Sequence, residues 1–173
     1  MRDYILCKCS EGNQHIFLKE KKTSLEYTYA AFFQEINRAS SFINGLGIQS
    51  GDRVILEMEN SLAALAVFLG AMMINVVPII ISPKIKTNDL RYILNNCEVV
   101  AYFSCSENHY DSIPSYNFTC YSDTPPVDLP SLWPASADEI AYITFTTGST
   151  GQPRKVCISH HNMLAEIHSM ADA

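Results

Sequence analysis

The sequence has no Cys-x-x-Cys pair, no Gly-x-Gly-x-x-Gly string and no Walker A string. The first absence leaves Cys7-x-Cys9 without a matching pair, and no His stands beside it at zinc spacing. The other two exclude a dinucleotide fingerprint and a P-loop. Positive charge is scarce, with 12 Lys and Arg against 18 Asp and Glu, so the net charge is −6. That balance gives no general attraction to nucleic acid or anionic lipid. Tyr110, Tyr116 and Tyr121 are not interleaved with basic residues, which argues further against a nucleic-acid surface. His15, His109, His161 and His168 show no metal-ligand spacing. The stretch from Met1 to Lys8 lacks a long apolar core, so it carries no secretory signal. No internal repeat and no low-complexity tract are present.

What is present suits a globular chain. The 173 residues are 47% hydrophobic and 17% charged, enough for one domain or a large subdomain with its own core. The six cysteines, Cys7, Cys9, Cys97, Cys105, Cys120 and Cys157, are spread along the chain. They read as reduced, mostly buried thiols of a cytoplasmic protein, with Cys157 a packing residue. From Asn60 to Pro83 there is no charged residue, a length that reaches membrane-span range. Asn75 and Pro78 interrupt it, and its character changes from Ala/Leu/Met-rich at 62–74 to β-branched at 76–81. Lys84 and Lys86 flank one side, Glu57 and Glu59 the other. A buried helix followed by a buried strand accounts for these features, and no membrane span is expected.

The pattern along the chain alternates. Short strands are expected at 15–18 and 25–28, then Thr28 as an N-cap. Phe32, Phe33, Ile36, Ala39, Ile43 and Leu46 follow at helical spacing, with Gly47 at the C-terminal cap. A strand is expected at 53–56, a helix from Asn60 or Ser61 to Ile74, a strand at 76–81, a helix from Thr87 or Asn88 to Asn95 and a strand at 98–103. This alternation predicts an α/β fold with a mainly parallel, doubly wound sheet and helices on both faces. The division expected is an α/β core at 1–104, an irregular Pro/Ser-rich connection at 105–137 with one short strand near 118–121, and a final part at 138–173. That final part reads as a strand at 140–144, a loop at 146–153, an extended stretch at 156–159 and a helix from Asn162 onward.

The loop is the feature that carries chemistry. Thr146, Thr147, Ser149 and Thr150 crowd around Gly148 and Gly151, and Arg154 and Lys155 follow. Such a stretch aims backbone N–H groups and hydroxyls at one anion, and its glycines permit close approach. Taken alone, the same composition also describes an ordinary turn between two strands.

The string Thr-Thr-Gly-Ser-Thr-Gly-Gln-Pro-Arg at 146–154, preceded by Tyr142-Ile-Thr-Phe and followed by Ser159-His-His-Asn162, resembles the signature loop of the adenylate-forming synthetases and ligases. Acyl-CoA synthetases, nonribosomal peptide adenylation domains and fatty-acyl-AMP ligases belong to that family. The resemblance extends back through Leu90–Leu94, Val77-Pro78, Asn60-Ser61, Gly47–Val54 and Thr28-Tyr29, in the family's order.

That resemblance implies the N-terminal portion of an AMP-forming acyl ligase. In the family, this loop holds the β- and γ-phosphates of ATP while a carboxylate attacks the α-phosphorus, and ATP and Mg2+ are the cofactors implied. The acyl group then passes from the acyl-adenylate to a thiol on CoA or on a phosphopantetheinyl carrier protein, with release of AMP. Carried over, it implies phosphate contacts from Thr146, Thr147, Gly148, Ser149, Thr150, Gly151 and Arg154, with Lys155 a possible further contact. Arg154 stands where the family usually has Lys, and Lys155 where it usually has Gly. A side chain at 155 either crowds a turn or adds a phosphate contact. His160 and Asn162 match a family pattern, with Ser159 as helix cap and His160 a surface residue as the simpler expectation. The family's later adenine- and Mg2+-binding segment, ribose-binding Asp, hinge, catalytic Lys and most of its acyl pocket have no counterpart in these residues, so no catalytic residue is assigned. Two expectations follow: an inactive front portion of such a ligase, truncated, or a non-catalytic remnant or interaction subunit completing a separate chain.

Overall fold

The computed structural model describes residues 5, 14–21, 24–105, 112–126, 136–147 and 153–171. Among them, strands β1 (Ile16–Lys19) and β2 (Glu26–Thr28) form an antiparallel pair. Lys19 and Glu26 are ion-paired across it. Helix α1 (Tyr29–Gly45) starts where Thr28 Oγ1 accepts the Ala31 N–H at 3.1 Å. It ends at Leu46, followed by Gly47 at φ +79°, a conformation that glycine adopts without penalty.

The main sheet holds six strands in the order β6-β5-β3-β4-β7-β8. These are β3 (Arg53–Glu57), β4 (Val77–Ile81), β5 (Val99–Ser104), β6 (Ser115–Asn117), β7 (Ile140–Thr147) and β8 (Pro153–Ser159). All neighbouring pairs are parallel except β7 with β8. Between strands run α2 (Leu62–Met73) and α3 (Thr87–Asn96), and α4 (His160–Ala171) follows β8.

Side chains alternate across the pleat, so each strand feeds two cores. Val54, Leu56, Ala101 and Phe103 join α1 and α2 on one face. Ile55, Ile79, Tyr102 and Ile143 join Leu90 and Ile93 of α3 on the other. Burial on both faces explains the near-continuous apolar strands. It also explains α2, which has almost no polar side: eight of its residues are buried between α1 and the sheet. Asn75, at φ 58°, ends that run in a left-handed turn and donates to Ser50 Oγ at 2.8 Å. No helix among the described residues is long and apolar enough to cross a membrane.

Three expectations are corrected. The strand expected at 118–121 is a 3-10 helix, and the strand is Ser115–Asn117 just before it. Asn117 Oδ1 accepts the Thr119 N–H at 2.9 Å, which turns the chain out of the sheet. The expected loop at 146–153 is shorter, because Thr146, Thr147 and Pro153 belong to paired strands. Among the described residues the thiols are not mostly buried: Cys97 is buried and Cys105 half-buried, but Cys120 and Cys157 are exposed, and Cys7 and Cys9 lie outside the described residues. Cys157 lies on an edge strand, where one side of the ladder has no neighbour to cover it.

Candidate functional site

The site begins with the β7–β8 hairpin. Its register sets Thr147 opposite Pro153, Thr146 opposite Arg154 and Phe145 opposite Lys155. The two strands therefore bring Thr146, Thr147, Arg154 and Lys155 together at one end of the sheet. Thr146, Arg154 and Lys155 are exposed there. Gly148, Ser149, Thr150 and Gly151 lie outside the described residues. Lys155 occupies an extended strand position and is not among the positive-φ residues. The crowded turn anticipated for it is therefore not found: a lysine fits a paired strand as readily as a glycine.

Thr147 and Pro153, the last paired residues of the hairpin, lie at the carboxyl end of β7. At this edge the connection from β3 leads to α2 on one face, while that from β4 leads to α3 on the other. Diverging connections of this kind open a crevice at the carboxyl ends of parallel strands. A cavity of about 750 Å3 lies there. Thr144, Phe145 and Thr146 form one wall, and the β4–α3 connection with Lys84 and Lys86 forms another. Sequence reasoning missed Ser82, Lys84, Lys86 and Thr144 as site residues. The two lysines served there only as flanks of an apolar run. Their place in a short connection gave no signal, since only the β4–β7 pairing brings them near the hairpin.

Glu57, Tyr102 and His160 are buried side chains with polar atoms outside this cavity's walls. Tyr102 donates a short hydrogen bond to Glu57 Oε2, and both side chains are buried. His160 is 3% exposed rather than on the surface, and its Nδ1 has no hydrogen-bond partner. Burial pushes its pKa below the ordinary value. The N-terminal capping of α4 is as expected: Ser159 Oγ accepts the Asn162 N–H at 3.1 Å. His160 begins the helix at the opposite end of β8 from Arg154, so it does not face the hairpin tip. Among the described residues, no group of three or more His, Cys, Asp or Glu side chains is placed to hold a metal.

The chain is an α/β protein with a mainly parallel, doubly wound sheet and a crevice at the carboxyl edge, where such sheets bind ligands. The chain matches the family described as AMP-binding enzyme over residues 9–173, and it belongs to that family. It is 26% identical to a crotonobetaine/carnitine–CoA ligase of Proteus mirabilis over 181 residues, covering 83% of this chain and 35% of that protein. The chain thus spans about a third of the length of such curated relatives. Its fold is similar to the N-terminal subdomain of Klebsiella oxytoca NpsA in complex with 3-hydroxybenzoyl-AMSN, with a TM-score of 0.83 at 19% identity. That likeness covers 92% of this chain and 41% of the other. VinN in complex with 3-methylaspartate is also similar, with a TM-score of 0.84 at 18% identity, covering 98% and 50%. The fold is that of the N-terminal part of an adenylate-forming enzyme.

Proposed function

We propose that this chain is the phosphate-holding part of an AMP-forming acyl ligase. The observation that supports the reading is the hairpin register, which sets Thr146 opposite Arg154 and Thr147 opposite Pro153 at the carboxyl edge of the sheet, beside a cavity whose wall includes Thr146 and Pro153. In this reading Thr146, Thr147, Gly148, Ser149, Thr150 and Gly151 surround the β- and γ-phosphates of ATP, and Arg154 and Lys155 offset their charge. Arg154 offers a planar fork of donors suited to phosphate oxygens. A substrate carboxylate oxygen attacks the α-phosphorus, the bond from that phosphorus to the bridging oxygen breaks, and pyrophosphate leaves with the electron pair. The loop contributes by positioning and by stabilising charge. The acyl group then passes to a thiol, with release of AMP. A CoA acceptor is supported by the name of the Proteus mirabilis relative, and a carrier-protein arm is the alternative.

Mg2+ prefers oxygen ligands and is commonly held by one or two carboxylates together with substrate phosphates. Asp89 is the single carboxylate on the described cavity wall, so the ion would be held chiefly through the ATP phosphates in this part of the protein. When bound, the ion would neutralise phosphate charge. The proposed setting is cytoplasmic, where ATP is available and the cysteines stay reduced.

Calorimetric titration of the purified chain with ATP tests the reading. Thr146→Val combined with Arg154→Gln is expected to weaken binding at least about tenfold, since each removes a phosphate contact. Unchanged affinity in that double variant would remove the phosphate assignment. ATP–pyrophosphate exchange by the purified chain separates a competent ligase from a non-catalytic subunit.

A further inference from the structure

Residues 82–86 carry the chain from β4 to α3, and backbone hydrogen bonds fix their course. Ser82 Oγ accepts the Lys84 N–H at 3.2 Å, and the Ser82 carbonyl accepts the Ile85 N–H at 2.9 Å. The Lys86 carbonyl accepts the Leu90 N–H at 3.0 Å and so opens α3. Lys84 and Lys86 are exposed, and neither has an ion-pair partner among the described residues. The sheet sets this turn beside the hairpin. Ile80 pairs with Thr144, and Ser82 and Thr146 each follow that pair by two residues. Thr146 in turn stands opposite Arg154, and directly opposed residues share a face of the sheet. Ser82, Lys84, Lys86, Thr144 and Thr146 all line the one cavity of about 750 Å3. That cavity straddles the carboxyl edge: Ile80 on its wall packs with the core under α1 and α2, and Phe145 with the core under α3.

We propose that Lys84 and Lys86 are phosphate-binding residues outside the hairpin. They form the second arm of a cationic clamp whose first arm is Arg154, and the clamp holds a diphosphate group. For the identity of the ligand this rests on the ligase reading above: the group is the β- and γ-phosphates of ATP and the pyrophosphate that they become. The physical grounds are these. A diphosphate bears several negative charges and presents acceptor oxygens on every side, so donors from the hairpin alone leave part of it unmatched. An ammonium group is a compact charge with three donors, and it pairs with phosphate oxygens through charge-assisted hydrogen bonds. The chain has a net charge of −6, yet on this wall two lysines face only one carboxylate, Asp89. The connection that carries them leads to the α3 face, whereas Arg154 shares the face of Thr146, so the two arms approach the edge from different directions. Their backbones are already held in a hydrogen-bonded turn, so less ordering is needed when the anion arrives.

The test is calorimetric titration of the whole chain with ATP, inorganic pyrophosphate, AMP and CoA. Lys84→Gln combined with Lys86→Gln is expected to weaken ATP and pyrophosphate about fivefold, the size that exposed charge pairs supply, and to leave AMP unchanged. Lys84→Arg combined with Lys86→Arg keeps the charge and should retain the binding. Arg91→Gln removes an exposed cation of α3 that is off the cavity wall, and it should match the wild type. An unchanged unfolding midpoint in the Gln double variant separates a lost contact from a lost fold. Wild-type affinity of the Gln double variant for both ATP and pyrophosphate overturns the clamp, as does an equal loss in Arg91→Gln or an equal loss for AMP. In those cases a loss in Thr146→Val with Arg154→Gln leaves the nucleotide reading standing. A loss confined to CoA also overturns the clamp, since the lysines would then serve another diphosphate. Lysine-dependent binding of pyrophosphate without binding of ATP supports the clamp and removes the nucleotide reading. If the wild type binds neither, both fall.

Discussion

At the scale of single residues, two positions depend on neighbours that are remote in sequence. Gly70 lies where α2 crosses α1. A Cβ there would stand 3.0 Å from Ala39 Cβ and from the Ser40 backbone nitrogen, and 3.1 Å from the Ile36 carbonyl oxygen. Ser40 Oγ bridges the same crossing, donating to the carbonyls of Ile36 and Gly70, each at 2.9 Å. Gly70→Val should therefore cost about 1–3 kcal/mol, the usual range for overpacking, and lower the midpoint of urea unfolding. His160 supplies a pH-dependent counterpart. Burial lowers its pKa from 6.5, opposed in part by Glu139. The unfolded chain then binds more protons than the folded one between the two values, so stability is full above about 6.5 and falls as the pH drops below it. The melting temperature of the wild type should fall more steeply than that of His160→Gln between about pH 7 and pH 5. Parallel curves would show that this imidazole does not contribute. Neither residue could be read correctly from the sequence. A glycine in an apolar helix and a histidine at a helix start look ordinary until the partner elements are in place.

At the scale of elements, the most legible features were those with local causes. Ser61 was one of two caps expected for α2, and its Oγ accepts the Ala64 N–H at 3.1 Å. Ser61→Ala should cost about 1 kcal/mol, readable in the unfolding midpoint, because the first turn of a buried helix loses its only side-chain cap. Thr28 and Gly47 were likewise legible, as were the apolar strands β3, β4 and β5 to within a residue or so at each end. The hairpin was less so. Thr146, Thr147 and Pro153 looked like loop residues because hydroxyls, glycines and a proline cluster there. Pairing extended the strands into that cluster, and local composition does not report pairing. Lys155 illustrates the consequence. In a paired strand, Lys155→Gly should weaken β8 by about 0.5–1 kcal/mol rather than relieve a crowded turn. A lower thermal midpoint for the glycine variant checks this; a higher one would place strain at position 155.

At the scale of the whole molecule, the architecture follows from which face each helix covers. The alternation of strands and helices announced a parallel sheet, but not the order β6-β5-β3-β4-β7-β8, which depends on the crossings of the connections. That order forms the crevice by setting β4 beside β7, so residues more than fifty positions apart share one wall. The hydroxyls and cations of 146–155 were legible as a group; the lysines of the β4–α3 connection were not, because their relation to the hairpin exists only after the sheet is assembled. The charge distribution makes the same point. A chain of net charge −6 repels an anion on average, so any attraction to ATP must come from this local group of cations. Salt should therefore weaken ATP binding, since a short-range attraction between exposed charges is screened. Arg154→Gln and Lys21→Gln change the net charge equally, but Arg154 stands opposite Thr146 on the hairpin, whereas Lys21 is an exposed residue following β1 of the separate two-stranded sheet. ATP affinity should drop and its salt dependence flatten in Arg154→Gln, while Lys21→Gln remains close to wild type. An equal effect of the two substitutions would mean that ATP senses overall charge and not a built site.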